Sequence, residues 1–154
     1  MELDTSGITV KDIMTKSVIS VDATLTANEA AKMMEDAKVG AVIVMENNTP
    51  VGIVTDRDFA VKIVAHAYQI TTPVKQIMSS PLIATSPDET VLMAADLMHT
   101  RDIRKLPVID NDQVVGIITA TDLVKQLAIS TEDDIKKMHH ETVIKVYKQY
   151  SPYN

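Results

Sequence analysis

Short apolar runs, separated by polar turns, divide the first half of the chain into predicted elements. Continuous β-branched runs are typical of strands, and apolar residues that recur every three or four positions are typical of amphipathic helices. Thr26 with Glu29 three residues later is the capping-box signature of a helix start. Gly40 is predicted to end that helix in the left-handed conformation. The predicted elements are a strand at 18–21, a helix from 26, strands at 41–45 and 50–54, and a helix from 55 through 67.

The second half of the chain repeats this order. The segment GIVTDRDF at 52–59 reappears as GIITATDL at 116–123, and the same offset, from 52 to 116, superimposes VKDIM at 10–14 on VKQIM at 74–78. The second copy predicts a strand at 82–85, a helix at 90–100 with Val91, Ala94, Ala95 and Met98 inward, strands at 106–109 and 114–118, and a helix at 119–128. The protein is therefore predicted to be one strand-helix-strand-strand-helix unit written twice.

This repeat predicts the domain organisation. We expect a first unit at 8–68, a second unit at 72–130 and a C-terminal helical extension at 131–150. Strands that are apolar on both faces need cover on both sides, so the α/β (α+β) units are expected to pack sheet to sheet about a pseudo-two-fold axis. The extension has an apolar stripe, which is expected to pack on its own protomer or across a homodimer, or alternatively to dock another protein.

Composition and charge narrow the class of function. A net charge of −6 argues against nucleic-acid binding, which needs clustered Lys and Arg. The chain has no cysteine, and it shows neither a signal-peptide pattern nor an apolar run of about 18 residues. We therefore expect a cytoplasmic protein that does not associate with a membrane.

Neither a metal site nor a catalytic site is expected. The four histidines have no metal-ligand spacing: His66, His99, His139 and His140. No nucleophile is flanked by a recognisable base, and there is no Gly-rich phosphate loop. The sequence therefore favours a protein that is not an enzyme.

The repeated Thr-x-x-Asp motif carries the candidate chemistry. Thr55 with Asp58, and Thr119 with Asp122, lie where a predicted strand runs into a helix. Backbone N–H groups at a helix start favour a phosphate, and a carboxylate one turn later can accept hydrogen bonds from the hydroxyls of a ribose. The same residues are also an ordinary N-cap followed by an acidic residue, which stabilises a helix without any ligand. The residues alone leave both interpretations open.

The duplicated unit resembles the cystathionine-β-synthase (CBS) domain in its tandem arrangement, the Bateman module. The resemblance covers roughly residues 8–130 and rests on the Gly-hydrophobic-hydrophobic-Thr-x-x-Asp endings, DIM at 12–14 and IRKLPV at 103–108. It implies a regulatory module that binds AMP, ADP, ATP or a related adenosyl ligand in clefts between the units, with Mg²⁺ as an optional companion of ATP. It also implies a homodimer, and we expect the regulated protein to be a separate chain. A structural or oligomerisation module with empty clefts is the competing hypothesis.

Carried over residue by residue, the resemblance assigns phosphate to each Thr and ribose to each Asp, and completes each cleft from the opposite unit. The first cleft is assigned Thr55, Asp58, Arg57, Ile53, Leu82, Ile83, Ile103 and Arg104. The second cleft is assigned Thr119, Asp122, Ile117, Val18, Ile19, Val39 and Gly40. Because Arg57 matches Thr121 and Arg104 matches Gly40 across the repeat, we predict that the first cleft binds a polyphosphate more tightly. The alternative for Arg101, Arg104 and Lys105 is an ordinary solvated basic face.

Overall fold

The computed structural model describes residues 7–129, apart from the side chains of Leu127 and Ile129. The predicted extension at 131–150 and the His139-His140 pair lie outside the described residues. The described chain separates into two compact units. We call Ser17–Ile83 the middle unit, and the residues up to Lys16 together with those from Ala84 onward the end unit.

The elements follow the predicted order in both copies. They are α1 (Val10–Ile13), β1 (Ser20–Asp22), α2 (Ala27–Ala37), β2 (Ala41–Glu46), β3 (Thr49–Thr55), α3 (Asp56–Asp58), a π-helix (Phe59–Ala65), a 3₁₀ turn (Val74–Gln76), α4 (Val91–Arg101), β4 (Lys105–Asp110), β5 (Gln113–Thr119) and α5 (Ala120–Ile129).

The middle unit has a three-stranded sheet in the order β1-β2-β3. β1 pairs with β2 in parallel, and β2 with β3 antiparallel. Helix α2 begins with the predicted capping box, because the Thr26 hydroxyl accepts from the Glu29 amide at 3.3 Å and Glu29 Oε2 accepts from the Thr26 amide at 3.0 Å. Its apolar side packs into a core with the strands and with Val74 and Ile77, which belong to the first residues of the second sequence copy.

The end unit has a two-stranded antiparallel sheet, β4-β5. Helix α4 buries the four predicted residues, Val91, Ala94, Ala95 and Met98. The first residues of the first sequence copy belong here, since Thr9 bridges Thr90 and Thr15 bridges Ile117. The compact units therefore do not coincide with the sequence copies. The first residues of each copy, 8–16 and 72–83, which we call the lead-in segments, belong to the compact unit formed by the other copy. The boundaries 8–68 and 72–130 describe the sequence repeat and stay predictions.

The predicted strand at 82–85 is wrong. Thr85 makes one parallel bridge to Val108, whereas β1 in the middle unit is a full strand that begins at Ser20 rather than Val18. The reason lies in the partner strand. The Ile43 amide donates to the Ile19 carbonyl at 3.0 Å, but Pro107 occupies the equivalent place in β4 and has no N–H to donate.

Two helix predictions are also corrected. Gly40 does not end α2, because the left-handed residue is Lys38 (φ 54°), and Asp102 (φ 53°) does the same for α4. The helix predicted from residue 55 starts as α3 but continues as a π-helix over Phe59–Ala65. Its counterpart in the second copy is the regular helix α5. Over so few turns, an apolar pattern does not separate the two helical periods.

Candidate functional site: the two Thr-x-x-Asp motifs

The first motif joins β3 to α3 in the middle unit. Thr55 is the extended N-cap residue, and Asp58 folds back onto it. Asp58 Oδ2 accepts from the Thr55 amide at 2.8 Å and from the Thr55 hydroxyl at 3.3 Å. Both residues are half-buried, so this carboxylate is a helix cap in a partly desolvated place.

The second motif joins β5 to α5 in the end unit and has the same geometry. Asp122 Oδ2 accepts from the Thr119 amide at 2.8 Å and hydroxyl at 3.0 Å, and the Asp122 amide donates to the Thr119 hydroxyl at 3.2 Å. The capping interpretation is thus correct for both motifs. It does not exclude a ligand, because a carboxylate has roughly four acceptor positions and the cap uses only some of them.

Capping geometry by itself does not identify a ligand site. Thr9 and Asp12 have the same spacing at the start of α1, with Asp12 Oδ2 accepting from the Thr9 amide at 2.8 Å and hydroxyl at 2.9 Å. These hydrogen bonds, the one from the backbone first, hold the pKa of the exposed Asp12 carboxyl below its usual range. Pro73 and Gln76 occupy the equivalent positions in the other copy. Duplication is therefore what separates the two candidate sites from this cap.

Lys62 is a charged partner of the first motif that the sequence interpretation missed. Its Nζ lies 3.1 Å from Asp58 Oδ1 and also donates to the Ile77 carbonyl. The exposed fractions of the Lys62 and Asp58 side chains are 27% and 12%, so solvent screens this pair only in part. The signal was the i,i+4 spacing of Asp58 and Lys62 on one helix. The second copy has Gln126 at the equivalent position.

Each motif is placed by a close contact between the strand before it and a lead-in segment. The Ser79 amide donates to the Ile53 carbonyl at 2.9 Å, and the Thr15 amide donates to the Ile117 carbonyl at 2.9 Å. A Cβ on Gly52 would lie 2.5 Å from Met78 Sδ and 2.9 Å from the Ser79 carbonyl oxygen. On Gly116 it would lie 2.6 Å from Met14 Sδ and 3.0 Å from the Thr15 carbonyl oxygen. Glycine precedes both motifs because only hydrogen fits against these segments.

Arg104 and Gly40 occupy equivalent places beside the motifs of their own units. The Ala120 amide donates to the Arg104 carbonyl at 2.8 Å, and the Asp56 amide donates to the Gly40 carbonyl at 3.2 Å. Lys105 then pairs with Thr119 across the β4-β5 ladder. These backbone contacts join Arg104 and Lys105 to the second motif, whereas the sequence interpretation assigned Arg104 to the first cleft. The assignment of Arg104 to the first cleft stays an untested prediction.

A cavity of about 480 Å³ lies beside the second motif within the end unit. Its lining combines helix α5 with the lead-in segment: Asp12, Ile13, Asp122, Lys125, Gln126 and Ala128. A predicted site carboxylate therefore faces space large enough for part of a small molecule.

The predicted site residues are divided between the two units. The middle unit holds six residues of the predicted first cleft, Thr55, Asp58, Arg57, Ile53, Leu82 and Ile83, and four of the predicted second, Val18, Ile19, Val39 and Gly40. The end unit holds Thr119, Asp122 and Ile117 together with Ile103 and Arg104. Each Thr-x-x-Asp motif is thus assembled locally, and the completion of each cleft from the opposite unit stays a prediction.

The described part of the chain offers neither a metal cluster nor a membrane span. Residues 7–129 contain no group of three or more His, Asp or Glu side chains arranged to hold a metal ion. No helix among those residues is both long enough and apolar enough to cross a bilayer.

Comparison with known proteins identifies the family. The CBS domain family model matches residues 10–65 and 74–129. The CBS domain-containing protein YhcV of Bacillus subtilis is 39% identical over 114 residues, which are 74% of this chain and 81% of that protein.

Solved structures agree with this match. The CBS domain pair of protein MJ0100, in complex with 5′-methylthioadenosine and S-adenosyl-L-methionine, aligns with a TM-score of 0.70 and 30% identity over 79% of this chain and 96% of its own. The hexameric CBS-CP12 protein from bloom-forming cyanobacteria aligns with a TM-score of 0.73 and 28% identity over 87% of this chain and 83% of its own. Since the family model covers most of the chain in two copies, this chain belongs to the CBS domain family and carries two CBS domains in tandem.

Proposed function

We propose that the protein is a regulatory CBS pair that binds an adenosyl ligand at its Thr-x-x-Asp motifs. The observation that carries this proposal is the duplicated junction of strand, Thr and half-buried Asp, in a chain similar to a CBS pair solved with two adenosyl compounds. In each motif the Thr hydroxyl and the positive end of the helix dipole favour a phosphate, and the Asp carboxylate accepts from the ribose hydroxyls. AMP, ADP and ATP belong to the proposed ligand class, and Mg²⁺ would accompany ATP.

Regulation, in this proposal, acts on a separate protein and involves no catalysis by this chain. A ligand can shift the arrangement of the protein only if it binds one arrangement better than another. The segment after the first motif offers a surface through which a second copy could respond: its exposed apolar side chains are Val61, Val64, Tyr68 and Ile70. We propose that these side chains, which lie close together in sequence, contribute to an interaction surface. Light scattering with and without ligand tests the homodimer, which Val64→Asp should weaken.

Calorimetric titration tests ligand binding directly. The titrants are AMP, ADP, ATP, S-adenosyl-L-methionine and 5′-methylthioadenosine. At least one of them should bind. The double variant Asp58→Ala/Asp122→Ala should weaken its affinity roughly tenfold to a hundredfold, since hydrogen bonds to a charged group are worth about 1.5–3 kcal/mol each. Asp96→Ala, which removes an exposed carboxylate of α4, is the matched control. Failure of all five compounds to bind would sink the proposal.

The second candidate is an oligomerisation module whose motifs act only as caps. The observation that favours it is that both Asp carboxylates already accept hydrogen bonds within their own motifs. On this hypothesis Asp58→Ala and Asp122→Ala lower the free energy of unfolding but change no ligand affinity, so the same titrations separate the two candidates.

A further inference from the structure

We infer that the two motifs are unequal ligand sites: the second, at Thr119 and Asp122, takes the adenosyl ligand first, and Lys62 is the residue that weakens the first. This inference rests on the proposed function. It reverses the order expected from the sequence, in which Arg57 and Arg104 made the first cleft the stronger one.

The Asp58 carboxylate is already used by three donors. The Thr55 amide and hydroxyl donate to Oδ2, and the Lys62 ammonium donates to Oδ1 at 3.1 Å. A carboxylate has roughly four acceptor positions, so about one is left for a ribose. Two vicinal hydroxyls that donate to Asp58 must therefore displace Lys62 or share the carboxylate with it.

Displacing Lys62 is unfavourable for a neutral diol. The ammonium is held at two points, by Asp58 and by the Ile77 carbonyl, and its side chain is only 27% exposed. Both the Lys62 ammonium and a ribose hydroxyl would bond to an ionised acceptor, but only the ammonium adds the Coulomb attraction of an opposite charge, which this partly buried place screens incompletely. A ribose hydroxyl therefore replaces a stronger partner by a weaker one at the first motif.

No ammonium stands at the equivalent place of the second motif, where the residue is Gln126. The donors described at Asp122 are the Thr119 amide and hydroxyl, both on Oδ2. Asp122 also lines the cavity of about 480 Å³ in the end unit. A ribose can thus approach this carboxylate without breaking an ion pair.

The charges around the two motifs also differ, and the cavity beside the second is lined by one further carboxylate, Asp12, and one ammonium, Lys125. The first helical residue is Asp56 in the first motif and Ala120 in the second, so an extra carboxylate opposes phosphate at the first helix start. Arg104 and Lys105 are joined by backbone hydrogen bonding to the second motif, where the first has Gly40 and Ala41. Arg57 is an exposed residue of the first motif, so solvent screens its charge.

Reciprocal exchange of Lys62 and Gln126 tests the inference. Calorimetry uses AMP and the uncharged 5′-methylthioadenosine, because attraction between Lys62 and the AMP phosphate could mask competition for the ribose. The unsubstituted protein should show one tight site, which Asp122→Ala removes and Asp58→Ala leaves. Lys62→Gln should strengthen binding of 5′-methylthioadenosine at the first site about tenfold, and Gln126→Lys should weaken it at the second about tenfold.

The outcomes are distinguishable from failure of the proposed function. If neither compound binds any form of the protein, the proposed function fails and the inference falls with it. If the compounds bind but Asp58→Ala removes the tight site, or Lys62→Gln and Gln126→Lys leave both affinities unchanged, only the inference is overturned. Thermal unfolding of each variant confirms that it is folded, and Gln126→Lys provides an independent reading should Lys62→Gln be unstable.

Discussion

Among residues 7–129, the middle unit has three hydrogen-bonded strands, whereas the end unit has two, with a single bridge at Thr85 where its first strand would lie. Both are built from the same repeated pattern, and the deciding difference is Ile43 in β2 against Pro107 in β4. Ile43 donates to the strand beside it, and Pro107 cannot. A single backbone donor therefore decides whether the first strand of a unit forms along its length.

The two units agree in the contact between the lead-in segment and the strand before the Thr-x-x-Asp motif. In both, a Met and the next backbone carbonyl press against a glycine, Gly52 or Gly116, in the strand before the Thr-x-x-Asp motif. They differ one turn beyond that motif: the middle unit has Lys62 and a π-helix, and the end unit has Gln126 and an α-helix at the equivalent positions. The two units therefore share the packing of this glycine, but they differ in the charge and in the helix type that follow the motif.

The largest expected effect comes from the lead-in segment of the middle unit. Ile77 is fully buried in the core of that unit, whereas its counterpart Ile13 is half-buried. Ile77→Ala should lower the free energy of unfolding by about 2–5 kcal/mol, because it removes buried methylene groups and leaves a cavity. Ile13→Ala is the matched control, and denaturant titration measures both. Equal losses would contradict the difference between the two segments.

Ile43→Pro tests the cause of the missing strand. It imposes the end-unit residue on β2, removes the bond to the Ile19 carbonyl, and should cost of the order of 3 kcal/mol from the lost donor and lost buried volume. Ile43→Ala, which loses volume but keeps the amide, is the control. Hydrogen exchange at Val21 and Ala23, whose amides point toward β2, should speed up in the proline variant more than in the alanine variant. Unchanged protection of β1 would mean that Pro107 is not the cause.

A methyl group on either glycine tests the shared contact. Gly52→Ala and Gly116→Ala should each lower the free energy of unfolding by about 1–3 kcal/mol, as overpacking does. The Met thioether can move away, but the carbonyl oxygens of Ser79 and Thr15 belong to the paired backbone. Met78→Ala added to Gly52→Ala should recover only part of the loss. Full recovery would show that the side chain alone requires the glycine.

The smallest expected effect is a pH dependence confined to α2. Hydrogen bonds from the Thr26 hydroxyl and amide lower the pKa of the Glu29 carboxyl from its ordinary value of 4.5, so its stabilising contribution is present above about pH 4.5 and is lost as the pH falls through the lowered pKa. The difference in unfolding free energy between the natural protein and Glu29→Gln should therefore shrink below about pH 4.5. Met93 stands at the equivalent place in α4, and Asp96→Asn is the control. A difference that stays constant with pH would contradict the assignment.

Much of the fold was predictable because local chemistry repeats it. The Thr26 capping box, the inward face of α4 and the hairpins follow from periodicity and cap residues, and all are confirmed. The misassigned end of α2 has a local cause too: the left-handed residue is Lys38, which is not a residue that left-handed geometry usually favours. The free-energy difference between neighbouring residues as the helix end is too small for the hydrophobic pattern to locate that end.

The candidate site was predictable in its motifs but not in its surroundings. Thr55 with Asp58, and Thr119 with Asp122, form the expected junctions. Lys62 was overlooked, although its i,i+4 spacing from Asp58 is visible in the sequence, and its second bond, to the Ile77 carbonyl, joins residues 15 positions apart. The backbone contact of Arg104 with Ala120 likewise joins positions that only the folded hairpin brings together.

The sequence by itself determined that this protein is a duplicated unit with two Thr-x-x-Asp motifs and that it belongs among CBS pairs, because repetition, cap chemistry and apolar periodicity are local properties. Only the tertiary structure decided that each lead-in segment completes the unit formed by the other copy, and that Lys62 is bonded both to Asp58 and to the Ile77 carbonyl. The physical reason is that backbone pairing and polar contacts between residues far apart in sequence depend on how the chain folds back. The spacing of residues along the chain does not give the distance between them in space.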